Sequence, residues 1–375
     1  MTTPTSSPTP PADTTADPVT GDAITGDDIQ VIDEVEAGVV DEVKADAPEG
    51  PITDDGDGLG AKVAGFFTVA RLKSIWSSLW PPVLGIGGFL LLWAVVASRV
   101  NTQIGQLPGP AQVWDAAVGL FDAWRDTRAA EAAFLTQQEA DNAVRIANGE
   151  PTVNFPFNGP VTIVDQIWTS LRTVTFGFFI GTVVAVPLGL AAGLSKTFGK
   201  AINPLVQIFR PVSPLAWLPI VQLVIAAAIT STNPTFEKAF LISAIVVTLN
   251  SLWPTLINTQ IGASSVDKDL LNVAEVLRLG WFTRLRKIVL PSAMPYIFTG
   301  MRLSLGVGWM VLIAAEMLAQ NPGLGKFIWD EFQSGSSQST SRIMVAVILI
   351  GIIGFLLDRV MAMLEGVVSR NRVAS

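Results

Sequence analysis

An all-α polytopic membrane protein with about six transmembrane helices is the fold class this 375-residue chain predicts. Three observations lead there. Half of the residues are apolar and only 15 % are charged. Several apolar runs exceed the roughly 18 residues a helix needs to cross a bilayer. Lys and Arg are unevenly shared among the segments between those runs, as the bias toward basic cytoplasmic loops requires.

The N-terminal part has a different character. Residues 1–58 hold 15 acidic groups against one base, Lys44, for a net charge of −14, whereas the rest of the chain carries +6. Rich in Thr, Pro, Asp, Ala and Gly, this stretch cannot bury enough apolar surface to offset its chain entropy, and a disordered acidic cytoplasmic tail is expected. It lacks the basic start and apolar centre of a signal peptide, so it should stay attached. Within it, residues 29–40 mix apolar and acidic side chains, either to dock on a partner or simply as part of a solvated tail.

Residues 61–79 set Phe66, Phe67, Leu72, Ile75 and Trp76 among Lys62, Arg71 and Lys73. That pattern predicts an amphipathic juxtamembrane helix with Trp76 at headgroup depth. The first transmembrane helix is expected over 80–98, an apolar stretch interrupted by no charge. Residues 99–165 read as an extracytoplasmic loop with a helix-like 111–124 and a polar insert at 125–160.

The transmembrane core is expected over 166–365. Its second span, about 167–194, carries Gly177 and Gly181, then Gly189 and Gly193, each pair four apart. Such faces permit close approach, either within the chain or between two copies. A short loop with Lys196 and Lys200 follows. Arg210-Pro211-Val212-Ser213-Pro214 then marks a broken entry to a third span at about 215–229. The fourth, fifth and sixth spans are expected near 240–261, 296–318 and 343–363, with a polar loop at 320–341 and a cytoplasmic tail at 366–375. With the N-terminus inside, fourteen bases fall on the inner side, Arg210 among them, and seven on the outer side, so both termini are placed in the cytoplasm.

The chain has no Cys and no His. That removes disulfides, thiolate nucleophiles, imidazole bases and the usual zinc or haem ligands. No phosphate-binding Gly-x4-Gly-Lys-Ser/Thr spacing occurs, so ATP hydrolysis would need another chain. No internal repeat is evident, which disfavours transporters built from duplicated halves.

The loop at 266–291 is the most informative segment. Asp267 is expected to cap a short helix with Leu270, Val273, Ala274 and Leu277 on one apolar side. Arg278, Arg284, Arg286 and Lys287 lie in or just beyond it. Apolar surface on a cytoplasmic loop suits a partner protein, and a membrane-surface helix with snorkelling bases is the alternative. Arg172, Arg302 and Glu316 fall in or near spans, where charge is costly unless it faces protein or water. Arg302 and Glu316 are 14 residues apart, so they share a helix face at roughly 21 Å and cannot pair. Either they line a translocation path with Trp309 between them, or they fix helix packing.

Several segments resemble one family. Asn272-Val273-Ala274, Arg278, and Ile288 with Leu290-Pro291 align with the loop pattern Glu-Ala-Ala, three residues, Gly, nine residues, Ile-x-Leu-Pro of binding-protein-dependent ABC importer permeases. Asn, Val and Arg depart from that pattern. Leu107-Pro108-Gly109-Pro110, Ser170-Leu171-Arg172-Thr173, the segment from Phe209 to Pro219, the segment from Thr299 to Gly306, Ala314-Ala315-Glu316-Met317-Leu318 and Gly323-Leu324-Gly325 resemble the nitrate, sulfonate and taurine branch, in order, across about 80–365.

The resemblance implies type I ABC importer permease architecture in a bacterial plasma (inner) membrane. It implies a coupling loop that uses Asp267, Leu270, Asn272, Val273, Ala274, Glu275, Leu277, Arg278, Leu279, Gly280, Arg284, Ile288, Leu290 and Pro291. The implied partners are cytoplasmic ATPase subunits using ATP and Mg, an extracytoplasmic substrate-binding protein, a second permease copy and lipid, with no nucleic acid and no cofactor on this chain. Nitrate or nitrite is the first substrate it suggests, ahead of sulfonate or taurine, bicarbonate and cyanate. A channel or ion-coupled carrier working without an ATPase is the rival of another class.

Overall fold

The structure, a computed structural model, describes residues 69–102, 105–230 and 236–370. The expected acidic tail, residues 61–68 of the amphipathic segment and residues 371–375 lie outside the described residues. The chain divides into two units between Leu79 and Trp80. Helix α1, Val69–Arg99, contains Pro81 and Pro82. A two-residue hairpin follows, β1 (Asn101–Thr102) antiparallel to β2 (Gly105–Gln106).

The expected extracytoplasmic loop is largely one helix, α2, Pro110–Ala147. The polar insert continues the helix because residues 125–147 contain no Gly or Pro and are rich in Ala, Glu, Gln and Arg, all good helix formers. Gly149, at φ +73, ends it. The chain then runs back along it. The Asn142 amide donates to the Val153 carbonyl at 3.1 Å and accepts from its N–H at 2.9 Å, while Gln138 donates to the Phe155 carbonyl.

Among the described residues five helices are long and apolar enough to cross a membrane: Trp80–Arg99, Ile163–Leu194, Lys238–Ser264, Trp281–Ala319 and Gln338–Val367. The core is built from α3 (Ile163–Leu194), α6 (Lys238–Ser264) and α9 (Leu290–Ala319), with α6 packed against both others. The four glycines of α3 make its contact with α6. A Cβ on Gly177 would sit 2.6 Å from the Ala244 carbonyl, and one on Gly189 would sit 2.6 Å from the Thr259 Cβ. The small-residue seam therefore belongs to this chain's own packing. On the other side of α6, Pro254 breaks the backbone ladder. Next to it Ser304 of α9 accepts the Thr255 N–H at 3.0 Å, so a neighbouring helix meets the donor.

The third span departs most from expectation. Residues read as a short loop form helix α4, Lys196–Phe209, and α5, Pro214–Ala228, follows at a bend of 101°. Pro211 and Pro214 supply no N–H, so the ladder stops between them. Alone α5 is too short to cross; the bent pair makes the sixth candidate span. The polar loop at 320–341 likewise contains a helix, α10, Leu324–Ser334, and the last helix, α11, runs from Ser337 to Arg370, through the start of the expected tail.

Candidate functional site

Helix α7, Lys268–Val276, forms the expected loop helix. Asp267 caps it: its Oδ1 accepts the Asp269 N–H at 2.9 Å. At the other end the Leu279 N–H reaches the Ala274 carbonyl and the Arg278 N–H the Glu275 carbonyl, both at 2.9 Å. These two bonds form a Schellman closure, which needs one left-handed residue. That residue is Arg278, at φ +49, the position where the resembled family pattern has Gly. The departure noted in the sequence thus falls where glycine is conformationally cheapest.

The apolar side is not uniform. Ala274 is buried, whereas Leu270, Val273 and Leu277 are 47 %, 53 % and 63 % exposed. The outward face also includes Val276, at 82 %, which the sequence reading omitted. Asn272, Glu275 and Arg278 are exposed as well. Gly280 starts a four-residue helix, α8 (Trp281–Arg284), whose Trp281 and Phe282 project outward. A π segment, Leu285–Val289, then joins α9 at Leu290-Pro291. The loop is anchored by Val266 and Val289 with Ala263, and Leu271, Leu285 and Ile288 pack around them. Beside Trp281 and Leu285 lies an open apolar cleft of about 550 Å³, lined also by Pro187, Leu190, Leu194 and Phe198. None of Arg278, Arg284, Arg286 and Lys287 forms an ion pair among the described residues. The result is a stiff knob with an apolar, basic outer face.

The three charges that the sequence placed in or near the spans find partners within the chain. Arg302 makes a two-point contact with Asp358 of α11, Nε to Oδ1 at 2.6 Å and Nη2 to Oδ2 at 2.7 Å. The Trp309 indole donates to the Ile350 carbonyl at 3.0 Å. Glu316 is fully buried. Its carboxylate accepts the Ser170 hydroxyl, at 2.8 and 2.9 Å from its two oxygens, and the Gly325 N–H at 3.0 Å. The same hydroxyl accepts the Leu324 N–H at 2.9 Å. Asn321 and Thr173 extend the cluster. A Cβ on Gly323 would overlap the carboxylate, and one on Gly325 the Ile313 carbonyl. Three segments singled out separately in the sequence, around Ser170, Glu316 and Gly323, therefore form one clasp. Asp358 was missed there, although it is the one carboxylate in the expected sixth span, 343–363. Arg172 lies over the Phe240 ring at 4.9 Å.

Residues 185–370, which include α4 to α11, match the family described as binding-protein-dependent transport system inner membrane component. The chain is 33 % identical over 291 residues to the bicarbonate transport system permease protein CmpB of Synechococcus elongatus, covering 77 % of this chain and 89 % of that one. The chain belongs to this family. It is a permease subunit of an ABC importer, multi-pass in the membrane and not itself catalytic.

Over 203 residues the permease is also 40 % identical to the nitrate import permease protein NrtB of Synechocystis sp., 54 % of this chain and 69 % of the relative. Among solved structures it is similar to a chain of the inward-facing MetNI methionine ABC transporter, with a TM-score of 0.48 and 14 % identity, covering 55 % of this chain and 95 % of that one. Membership in the family implies a separate ATPase and a substrate-binding protein as partners. Among the described residues no group of His, Cys, Asp and Glu is arranged to hold a metal.

Proposed function

We propose that this permease imports a small inorganic anion, nitrate or nitrite first and bicarbonate next, across a bacterial inner membrane by alternating access. The substrate class rests on its likeness to a nitrate and a bicarbonate permease. Sulfonates such as taurine, and cyanate, are the further candidates from the same branch.

The observation that carries the mechanism is the outward knob at 266–291. An ATPase that closes on ATP must move the membrane part through something rigid. Here α7 is capped at both ends and rooted in the α6–α9 junction. Leu270, Val273, Val276 and Leu277 supply adhesion, and Arg278, Arg284, Arg286 and Lys287 attract acidic groups. On this reading the loop faces the cytoplasm, with both termini on the same side. Two copies form the working dimer. The Trp80–Arg99 span, with Phe89, Leu91 and Leu92 exposed, meets lipid or the second copy.

Replacing Leu277 and Arg278 together by Asp tests the coupling role. The permease is expected to insert and melt normally, yet to lose both ATPase co-purification and anion uptake. Retained uptake would remove the loop from the mechanism. Uptake by the permease alone, driven by an ion gradient, would instead establish the carrier reading.

A further inference from the structure

The bend between α4 and α5 places one cation where none was expected. In the sequence Arg210 counts among the bases of a cytoplasmic loop; in the structure it is exposed on the flank of the bundle, next to a residue that packs on the middle of α6. Helix α4 runs antiparallel to α3: Gly199 lies against the Ala192 carbonyl, and Val206 joins Ala185 and Leu256 in one apolar cluster. At the end of α4 the Phe209 ring stacks on Trp253 of α6, centroids 6.4 Å apart and planes within 7°. Trp253 lies 11 residues before Ser264 and 15 after Lys238, the ends of α6. Trp253 is therefore roughly 17 Å from the loop end of α6 and roughly 22 Å from its other end, and Arg210, the neighbour of Phe209, lies near that level.

Snorkelling cannot resolve that position, because a side chain of roughly 6 Å does not reach either end. Nor does a carboxylate within the spans. Asp358 is committed to Arg302, Glu316 is enclosed by Ser170 and Gly325, Glu365 accepts the Thr299 hydroxyl, and Asp165 pairs with Arg128. Arg210 is exposed, and no hydrogen bond or ion pair of its side chain occurs among the described residues. Against the same Phe209 ring lies Trp217, whose indole N–H is buried without an acceptor. An exposed guanidinium at that depth is tolerated where it faces water or a counter-charge, not lipid.

We infer that Arg210 is a contact point for the transported anion at the middle of the translocation path, with the broken span serving to present it there. The inference rests on the anion-import reading. Its forked donors suit a planar oxyanion. No competing intramolecular carboxylate has to be displaced, which sets Arg210 apart from Arg302.

The test uses the complete importer, permease with its ATPase and binding protein, in proteoliposomes with nitrate and then bicarbonate as probes. Uptake of either by the wild type supports the anion reading by itself; uptake of neither removes that reading and this inference with it. Given uptake, Arg210→Gln is expected to lower the rate roughly 10- to 100-fold, the loss of a charge-assisted hydrogen bond. Arg210→Lys should recover part of it, and ATPase stimulation by the binding protein should persist in both. An unchanged rate in Arg210→Gln overturns the inference alone. Since the chain has no Cys, Ser213→Cys reports on the same turn with Arg210 intact. It should react with a charged, water-soluble thiol reagent, and the transported anion should slow that reaction. Labelling only by a lipid-soluble maleimide, or no labelling, would mean the turn faces lipid or protein and would overturn the inference even if the Arg210 variants failed to assemble.

Discussion

The two ends of α9 treat polar and apolar groups in opposite ways. At its C-terminal end Glu316 is enclosed by Ser170, Gly323 and Gly325, and the Ser170 hydroxyl and Gly325 N–H donate to its carboxylate. Before its N-terminal end, the loop leaves Val276, Leu277, Trp281 and Phe282 uncovered, and four of its bases form no ion pair among the described residues. A buried carboxylate without its donors is severely destabilising, so the clasp tolerates little motion. An apolar, basic knob costs this chain little to expose and gains when a partner covers it. One end holds the bundle together; on the proposed reading, the other transmits movement into it.

The sharpest way to break this contrast is at the clasp. Glu316→Leu leaves the Ser170 hydroxyl and the Gly325 N–H without acceptors, at about 1–3 kcal/mol each. Gly323→Ala forces a methyl into the carboxylate. Both are expected to lower the melting temperature in detergent strongly and to reduce the amount of inserted protein. A normal melting curve for both would mean the clasp contributes little.

Val276→Asp acts at the opposite end. With the side chain 82 % exposed, stability should change by less than about 0.5 kcal/mol. ATPase capture on an affinity column should nevertheless fall sharply; unchanged capture would place the partner's contact elsewhere on the loop. The smallest effect is expected from Arg278→Gly. It relieves a left-handed side chain, stabilising the loop by up to about 1 kcal/mol, while removing one positive charge. Slower hydrogen exchange at the Leu279 N–H would register the gain, and faster exchange would show that the turn depends on the arginine.

Much of the fold could be read from apolar runs, because a helix is the way a lone segment satisfies its backbone in hydrocarbon. The Asp267 cap was legible for a similar reason: a cap involves neighbours in the chain. Other features were not. Arg302 and Glu316 share a face of one helix, yet their partners come from α11, α3 and α10, at sequence separations no local pattern encodes. The helix at 125–147 was overlooked because its polar residues lack amphipathic periodicity, although its composition favours helix.

By itself the sequence determined the membrane class, the order of the spans, the loop's charge and the resemblance to importer permeases, since all of these follow from local composition and near-neighbour spacing. Only the tertiary structure decided that the α3 glycines face α6, that Glu316 closes a clasp, and that Arg210 lies at bundle depth. Those outcomes depend on which helices meet and at what register, and a bend of 101° at two prolines carries an exposed residue from the expected loop to the level of the middle of α6 without altering any residue around it.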